Sequence, residues 1–226
     1  MDSDSCFIVG GGPSLKGFDF SKLKDQTVIA INQALWKIPS AQYFITTDYT
    51  WLLKNQICGF TNLEAKNKFK KHPAEKYFIL ALGQDRLIPI DEFHCRDRKF
   101  GLTYDLSLFD RVIRPKQYGG MGFSFEDFHY GSDSGFCGLQ LAVILGFKTI
   151  YLLGFDFCNS GYDTHYHEDY TTISDVDSYQ AKLDEFLIPY PQALKELREK
   201  GIQVFSCSHI SQLNRCVLYV DLEKIL

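Results

Sequence analysis

Two histidines separated by one residue, His165 and His167, lie in the most titratable stretch of the sequence, from Cys158 to Tyr170. Histidine ionises near neutral pH, so either residue could take a proton from an acceptor hydroxyl. Tyr162 could donate a hydrogen bond to a phosphate oxygen that gains charge as a neighbouring bond breaks. Because this stretch has little apolar periodicity, we interpret residues from about 158 to 178 as a loop or lid over a crevice.

The same histidines have two alternative interpretations. Alternate residues of an extended segment face the same way, so His165, His167 and Asp169 could together bind a divalent metal. They could also be surface histidines of a polar loop. We favour the general-base role and predict neither a metal nor a cofactor.

Three consecutive glycines follow the first apolar run of the chain. Cys6–Val9 predicts a short strand, and Gly10, Gly11 and Gly12 predict a tight turn that leads to Ser14. Glycines let the backbone approach a phosphate or ribose closely, and N–H groups after the turn can hold an anion. The turn has neither the ending of a Walker loop nor the third glycine of a full dinucleotide fingerprint. A plain strand-to-loop corner is therefore the competing interpretation.

Two more strand candidates end in polar side chains. Residues 27–31 end on Asn32, whose amide can both donate and accept hydrogen bonds. Residues 41–46 are followed by Thr47 and Asp48. Because ligands of open α/β sheets bind beyond the carboxyl ends of the strands, these residues and the glycine turn predict a nucleotide crevice.

A helix and a strand between Ser134 and Asp156 are the elements around which we expect the fold to be organised. Apolar residues at helical spacing predict a helix over residues 134–145, which stops at Gly146. The apolar run 150–153 predicts a buried parallel strand. Asp156 would then lie at the carboxyl edge of the sheet.

The order of elements predicts the α/β class, with a single Rossmann-like, mostly parallel sheet flanked by helices and a lid over the carboxyl ends of its strands. The length suits one nucleotide-binding domain over residues 1–226, with an irregular insertion at about 84–130 and an edge strand at 111–113. Further predicted elements are strands at 77–81 and 202–205, a helix at 63–71 and a long helix at 179–200 with an irregularity at Pro189 and Pro191.

Composition argues against several classes of protein. A net charge of −4 and a pI near 5.9 provide no basic field for general nucleic-acid binding. The N-terminal apolar run is short, and no later segment approaches the roughly 20 apolar residues of a membrane span. The seven cysteines include no C-x-x-C pair, which favours reduced thiols and a cytoplasmic location.

Several ordered motifs resemble a known family. They are GGGPSLK after the first strand, INQ after the second, the SG-helix-LGFKTIYLLGFDF block, a following Tyr and His, and a late strand with Ser-Cys. Together they resemble the bacterial sialyltransferases that use CMP-sialic acid, over about residues 6–215. The MptE-like 6-hydroxymethylpterin diphosphokinases look similar over the same motifs.

The resemblance implies roles for individual residues. The nucleotide phosphate and ribose would be held by Gly10, Gly11 and Ser14. The rest of the nucleotide pocket would be formed by Asn32, Ser134, Gly135, Asp156 and Phe157, with Ser134 and Gly135 next to the cytosine or ribose.

The catalytic residues implied by the resemblance lie in the lid. The family's base is a histidine, for which we favour His167 over His165, and Tyr162 matches one of two tyrosines that stabilise the departing phosphate. This sequence departs from the family at the other tyrosine position, which holds Cys158. It also departs at an expected arginine, which is replaced by Gly131 with His129 nearby.

We therefore expect a glycosyltransferase that moves a sugar from a nucleotide-sugar donor, preferably a CMP-sugar, to an acceptor hydroxyl by metal-independent inverting displacement. One alternative is a Mg²⁺-dependent diphosphokinase of the pterin type, whose metal could be held by Asp48, Asp133, Asp156 and Asp163. Another is a non-catalytic nucleotide-binding module. The related sialyltransferases suggest a homo-oligomer.

Overall fold

The computed structural model describes residues 4–57, 62–80, 87–89, 94–97, 103–131, 133–159, 164–167 and 176–226. The strands are β1 (Ser5–Val9), β2 (Val28–Ile31), β3 (Tyr43–Thr46), β4 (Glu75–Ile79), β5 (Leu87–Pro89), β6 (His94–Asp97), β7 (Thr103–Asp105), β8 (Arg111–Ile113), β9 (Gln117–Tyr118), β10 (His129–Tyr130), β11 (Thr149–Leu153), β12 (Gln203–Ser206) and β13 (Leu218–Tyr219). The helices are α1 (Ala34–Lys37), α2 (Tyr49–Lys54), α3 (Leu63–Lys71), α4 (Ser134–Ile144), α5 (Val176–Leu187) and α6 (Tyr190–Glu199). Short 3₁₀ turns lie at Pro13–Leu15, Phe20–Leu23, Leu106–Leu108, Gln212–Arg215 and Leu222–Lys224.

The main sheet has eight strands in the order β13-β12-β11-β1-β2-β3-β4-β8, and its neighbouring strands all pair in parallel. The chain runs outward from β1 to β8 on one side and from β11 to β13 on the other. The strand order therefore reverses between β1 and β11, where α/β sheets bind their ligands. The α/β class and the parallel sheet predicted from the sequence are confirmed.

Alternate residues of β1, a central strand of the main sheet, point into two separate hydrophobic cores. Cys6 and Ile8 belong to the cluster that includes residues of α4 and α6, whereas Phe7 and Val9 belong to the cluster that includes residues of α1, α2 and α3. Both faces of the sheet are thus covered, which explains why its strands are continuous apolar runs without polar alternation. Helix α4 packs on β1, β2 and β3 and so places its first residues near the carboxyl ends of those strands.

The long helix predicted over 179–200, with an irregularity at Pro189 and Pro191, is divided into two helices at that irregularity. Helix α5 ends at Leu187 and α6 begins at Tyr190, with Pro189 as the N-cap residue of α6. Proline has no N–H to donate, and it disfavours helical conformation in the residue before it. The break follows from these two effects.

The region predicted to be irregular, about 84–130, contains short strands in its described part. Strands β5, β6 and β7 form an antiparallel sheet, β9 pairs with β10, and Arg111–Ile113 is the predicted edge strand of the main sheet. The Gln140 side chain on α4 accepts hydrogen bonds from the N–H groups of Gly122 and His129 and donates to the His129 carbonyl. The next helix along the chain thus orders this segment through one buried polar side chain, and secondary-structure patterns do not reveal such a contact.

Among the helices described above, none is both long and apolar enough to span a membrane.

Candidate functional site

A cavity of about 660 Å³ lies at the carboxyl edge of the main sheet, at the point where the strand order reverses. This volume is within the range of about 300–1,000 Å³ that is usual for small-molecule sites. The predicted residues after strand ends that border it are Gly10, Gly11, Gly12, Asn32, Thr47, Asp48, Asp156 and Phe157. Those at the start of α4 are Ser134 and Gly135, and those in the segment 164–167 are His165 and His167. Most of the lid predicted at about 158–178 lies outside the described residues. The structure therefore brings almost all the predicted site residues together.

Ser14 and Asp156 form a clamp between the loops after β1 and β11. The backbone N–H and the hydroxyl of Ser14 each donate to one Asp156 carboxylate oxygen, both at 2.7 Å. A Cβ on Gly12 would collide with that carboxylate and lie 2.7 Å from the Gly154 carbonyl oxygen, so only glycine fits there. Asp156 is 2 % exposed, and both of its oxygens are engaged in positioning the glycine turn.

Asn32 and Phe157 border the cavity in an unusual backbone conformation. Their φ angles are +51° and +52°, in the left-handed region that non-glycine residues rarely adopt. The Asn32 Oδ1 accepts a hydrogen bond of 2.7 Å from the Thr46 hydroxyl, which fixes the amide plane. Such strained residues tend to occur where a site needs a fixed geometry.

Ser134 joins the start of α4 to the end of β3. Its hydroxyl accepts from the Thr47 N–H at 3.0 Å and lies 3.1 Å from the Thr47 hydroxyl. Asp48 follows and caps α2, because its side chain accepts from the Thr50 N–H at 2.8 Å. These contacts fix the second half of the cavity wall.

Both predicted catalytic histidines lie against the glycine turn. A Cβ on Gly11 would be 3.0 Å from His165 Cδ2 and 3.9 Å from His167 Nε2. The Tyr166 N–H donates to the Gly11 carbonyl at 3.2 Å, which links the segment 164–167 to the turn. The third predicted catalytic residue, Tyr162, and the metal-ligand candidate Asp169 lie outside the described residues.

His165 is uncharged at neutral pH. Burial, then the charges of His167, Lys54 and Lys182, lower its pKa from 6.5 to about 4. Its Nδ1 lies 3.0 Å from the Thr164 hydroxyl, and its Nε2 lies 3.4 Å from the Tyr179 hydroxyl. A group with so low a pKa is a weak acceptor of protons.

Sequence reasoning missed several residues that border the cavity. Tyr179, Lys182 and Phe186 on α5 were assigned no role, although their spacing places them on one helix face. This spacing is the signal that could have identified them. Lys54 and Tyr130 were missed as well, and Asp133 was considered only as a metal ligand.

The structure explains both departures from the family motifs. The Cys158 thiol donates to the Ile210 carbonyl at 3.2 Å, and burial raises its pKa, so it is a neutral group that links two loops. A Cβ at Gly131 would overlap the Phe136 ring, so no side chain fits where the arginine was expected. His129 does not replace that arginine, since it is buried beside Asp127 and is not part of the cavity wall.

Within the described ranges, no three His, Cys, Asp or Glu side chains are grouped so that they could hold a metal ion. Of the carboxylates considered for Mg²⁺, Asp156 gives both oxygens to Ser14, and Asp48 caps a helix. Asp163 lies outside the described residues.

The fold is similar to that of solved sialyltransferases. The sialyltransferase CstII from Campylobacter jejuni, in complex with the substrate analogue CMP-3FNeuAc, aligns with 96% of this chain and 86% of its own, at 14% identity and a TM-score of 0.52. An α-2,3-sialyltransferase from Campylobacter jejuni in apo form aligns with 97% of this chain and 82% of its own, at 17% identity and a TM-score of 0.44. No protein-family model and no curated protein matches the chain. At 14% identity the first likeness shows the fold alone, and it confirms the fold that the motifs indicated.

Proposed function

We propose that this protein is a glycosyltransferase that transfers a sugar from a nucleotide-sugar donor, preferably a CMP-sugar, to an acceptor hydroxyl. The observation that carries this proposal is the position of His165 and His167 beside the glycine turn, at the wall of a cavity where the strand order of the sheet reverses. A nucleotide bound there would place its phosphate beside a histidine base. The solved structure with the more similar fold holds a CMP-sugar analogue, which supports the choice of donor.

His167 is the general base in this mechanism. It takes the proton of the acceptor hydroxyl as the oxygen bonds to the anomeric carbon of the donor sugar. The bond from that carbon to the phosphate oxygen breaks, the nucleoside monophosphate leaves with the bonding electrons, and the configuration inverts. The lowered pKa of His165 makes it the weaker candidate for this step.

Hydrogen-bond donors around the cavity are available for the leaving phosphate. The Tyr179 hydroxyl borders the cavity beside His165, and Tyr162 retains its proposed role there. A hydroxyl that donates to the phosphate oxygen stabilises the charge that develops as the bond breaks. The backbone of the glycine turn and the Asn32 amide nitrogen would contact the rest of the nucleotide.

The cellular setting is also a proposal. The described cysteines are all free thiols, which suits the reducing cytoplasm. A single domain and a homo-oligomer remain predictions.

The test is an assay for release of CMP from CMP-sialic acid, with and without candidate acceptors. His167→Ala should reduce turnover about 10²- to 10⁴-fold and leave CMP affinity nearly unchanged. His209→Ala is the matched control, since His209 is exposed and is not part of the cavity wall. If His167→Ala has unchanged turnover, His167 is not the general base. Tight nucleotide binding by the wild type without any turnover would instead indicate a binding module.

A further inference from the structure

One carboxylate oxygen of Asp133 accepts several hydrogen bonds from the protein, and the other has few contacts. Oδ1 accepts hydrogen bonds from the N–H groups of Gly135 (2.6 Å) and Phe136 (3.0 Å) and from the Tyr190 hydroxyl (3.1 Å). For Oδ2, the contact within the described part of the chain is the same hydroxyl at a longer 3.4 Å. Asp133 is half-buried and borders the cavity, so Oδ2 is an acceptor with capacity for a ligand.

The surroundings of Asp133 do not suit a phosphate. Its carboxyl already uses the N–H groups at the start of α4, which would otherwise attract an anion. Of the described cations that border the cavity, Lys182 lies three residues after Tyr179 on α5, and the Tyr179 hydroxyl is 3.4 Å from His165 Nε2. Residues three apart lie on one helix face, so this positive charge is on the same side of the cavity as His165. The phosphate therefore belongs at the His165 end of the cavity.

A flat, weakly polar group suits the Asp133 end. Phe155 and Phe157 border the cavity. The Phe155 ring lies next to Asp133, because a Cβ at Gly135 would be 2.7 Å from Phe155 Cε1 and 2.6 Å from Asp133 Oδ1. A nucleobase buries its faces against such rings and satisfies its polar edge by hydrogen bonds. Burial raises the pKa of Asp133 to about 7, so the carboxylate form predominates above that pH.

We propose, building on the proposed function, that Asp133 Oδ2 accepts a hydrogen bond from the exocyclic amine of the nucleotide base and so selects cytosine over uracil. Cytosine presents an amino donor at the position where uracil presents a carbonyl oxygen, so a carboxylate distinguishes the two. Adenine carries a comparable amine, and the experiment includes it as a separate arm.

The test compares dissociation constants of CMP, UMP and AMP, measured by calorimetry at pH 8, where Asp133 is mostly ionised. The wild type should bind CMP about fivefold or more tightly than UMP, since discrimination by a base-specific hydrogen bond begins at about that ratio. In Asp133→Asn, the three donors keep the amide oxygen at the Oδ1 position, so the amide nitrogen replaces Oδ2. CMP affinity should then fall about tenfold, while UMP affinity is unchanged or rises, because the uracil carbonyl accepts from that nitrogen.

Asparagine also caps helices well, so Asp133→Asn should fold. Asp19→Asn is the control, because Asp19 caps the turn Phe20–Leu23 and is not part of the cavity wall. If Asp133→Asn fails to fold, Asp133→Ser keeps a capping residue without the carboxylate and should lose the preference for CMP.

The outcomes separate this inference from the proposed function. Equal wild-type affinity for CMP and UMP, or an equal loss of both affinities in Asp133→Asn, would refute the hydrogen bond between Asp133 and the base. It would not contradict the proposed glycosyltransferase activity. Tight binding of AMP with weak binding of UMP supports the amine contact and identifies adenine as a further ligand. If none of the three nucleotides binds, the proposed function fails and this inference fails with it.

Discussion

Replacing His165 by Asn should make the protein more resistant to acid. In the folded state, burial and the nearby positive charges hold the pKa of His165 at about 4, whereas the unfolded chain protonates it near 6.5. Between these values the unfolded state binds more protons than the folded state. The contribution of His165 to stability is therefore fully present above pH 6.5 and is lost as the pH falls toward 4.

The size of this effect follows from the two pKa values. pH 4.5 is two units below the unfolded-state pKa of 6.5, and each unit lowers the free energy of unfolding by about 1.36 kcal/mol. The imidazole is half-buried and keeps some contact with water, so we expect about 2 kcal/mol. Asp133 acts in the opposite direction, because its pKa is raised from 3.8 to about 7 and its stabilising contribution is lost as the pH rises through that range. The wild-type profile alone mixes both effects, so a variant is needed.

Urea unfolding at pH 7.5 and pH 4.5 provides the measurement. The unfolding free energy of His165→Asn relative to wild type should increase by about 2 kcal/mol from the higher to the lower pH. His209→Asn should show no such change, since His209 is exposed. If the difference between His165→Asn and wild type is the same at both pH values, His165 is not held uncharged in the folded protein.

Three further predictions concern the cavity wall. Ser14→Ala removes one of the two hydrogen bonds to Asp156 and should lower the free energy of unfolding in urea by about 1.5–3 kcal/mol. A change near zero would show that this hydrogen bond does not stabilise the fold. Gly12→Ala should abolish nucleotide binding, whereas Gly138→Ala, whose Cβ would meet only side-chain ends at 3.2 Å or more, should retain it. Lys182→Ala should weaken binding of CMP about threefold to tenfold but leave cytidine binding unchanged, because only CMP carries the phosphate. If both affinities fall equally, Lys182 does not contact the phosphate.

The polar residues after strand ends were predictable because of a simple geometric rule. Parallel strands align their carboxyl ends at one edge, so Gly10, Asn32, Thr47 and Asp156 had to converge once the strands were recognised. The sequence also showed where α4 begins and ends, since Ser134 and Gly146 bound a run of apolar residues. Most of the correct predictions therefore concern long elements with a strong hydrophobic pattern.

Other features depend on contacts between distant residues and left no local pattern. The role of Asp133 as both helix cap and cavity wall requires Tyr190, 57 positions later, to donate to the same carboxylate. The clamp between Ser14 and Asp156 spans 142 positions, and the sequence placed both residues at the site without showing that they bond to each other.

The position of positive charge in the cavity follows from the packing of α4. Phe136 fills the space beside Gly131, so the loop before this helix has no room for the arginine that the family motifs led us to expect. The described cations of the cavity wall are instead on α2 and α5, at Lys54 and Lys182. Charge carried by exposed helix residues is held less rigidly than charge at a strand end, because long lysine side chains have many rotamers. An anionic ligand would therefore gain less from each lysine than from a fixed arginine, and more of its affinity would have to come from the rigid glycine turn.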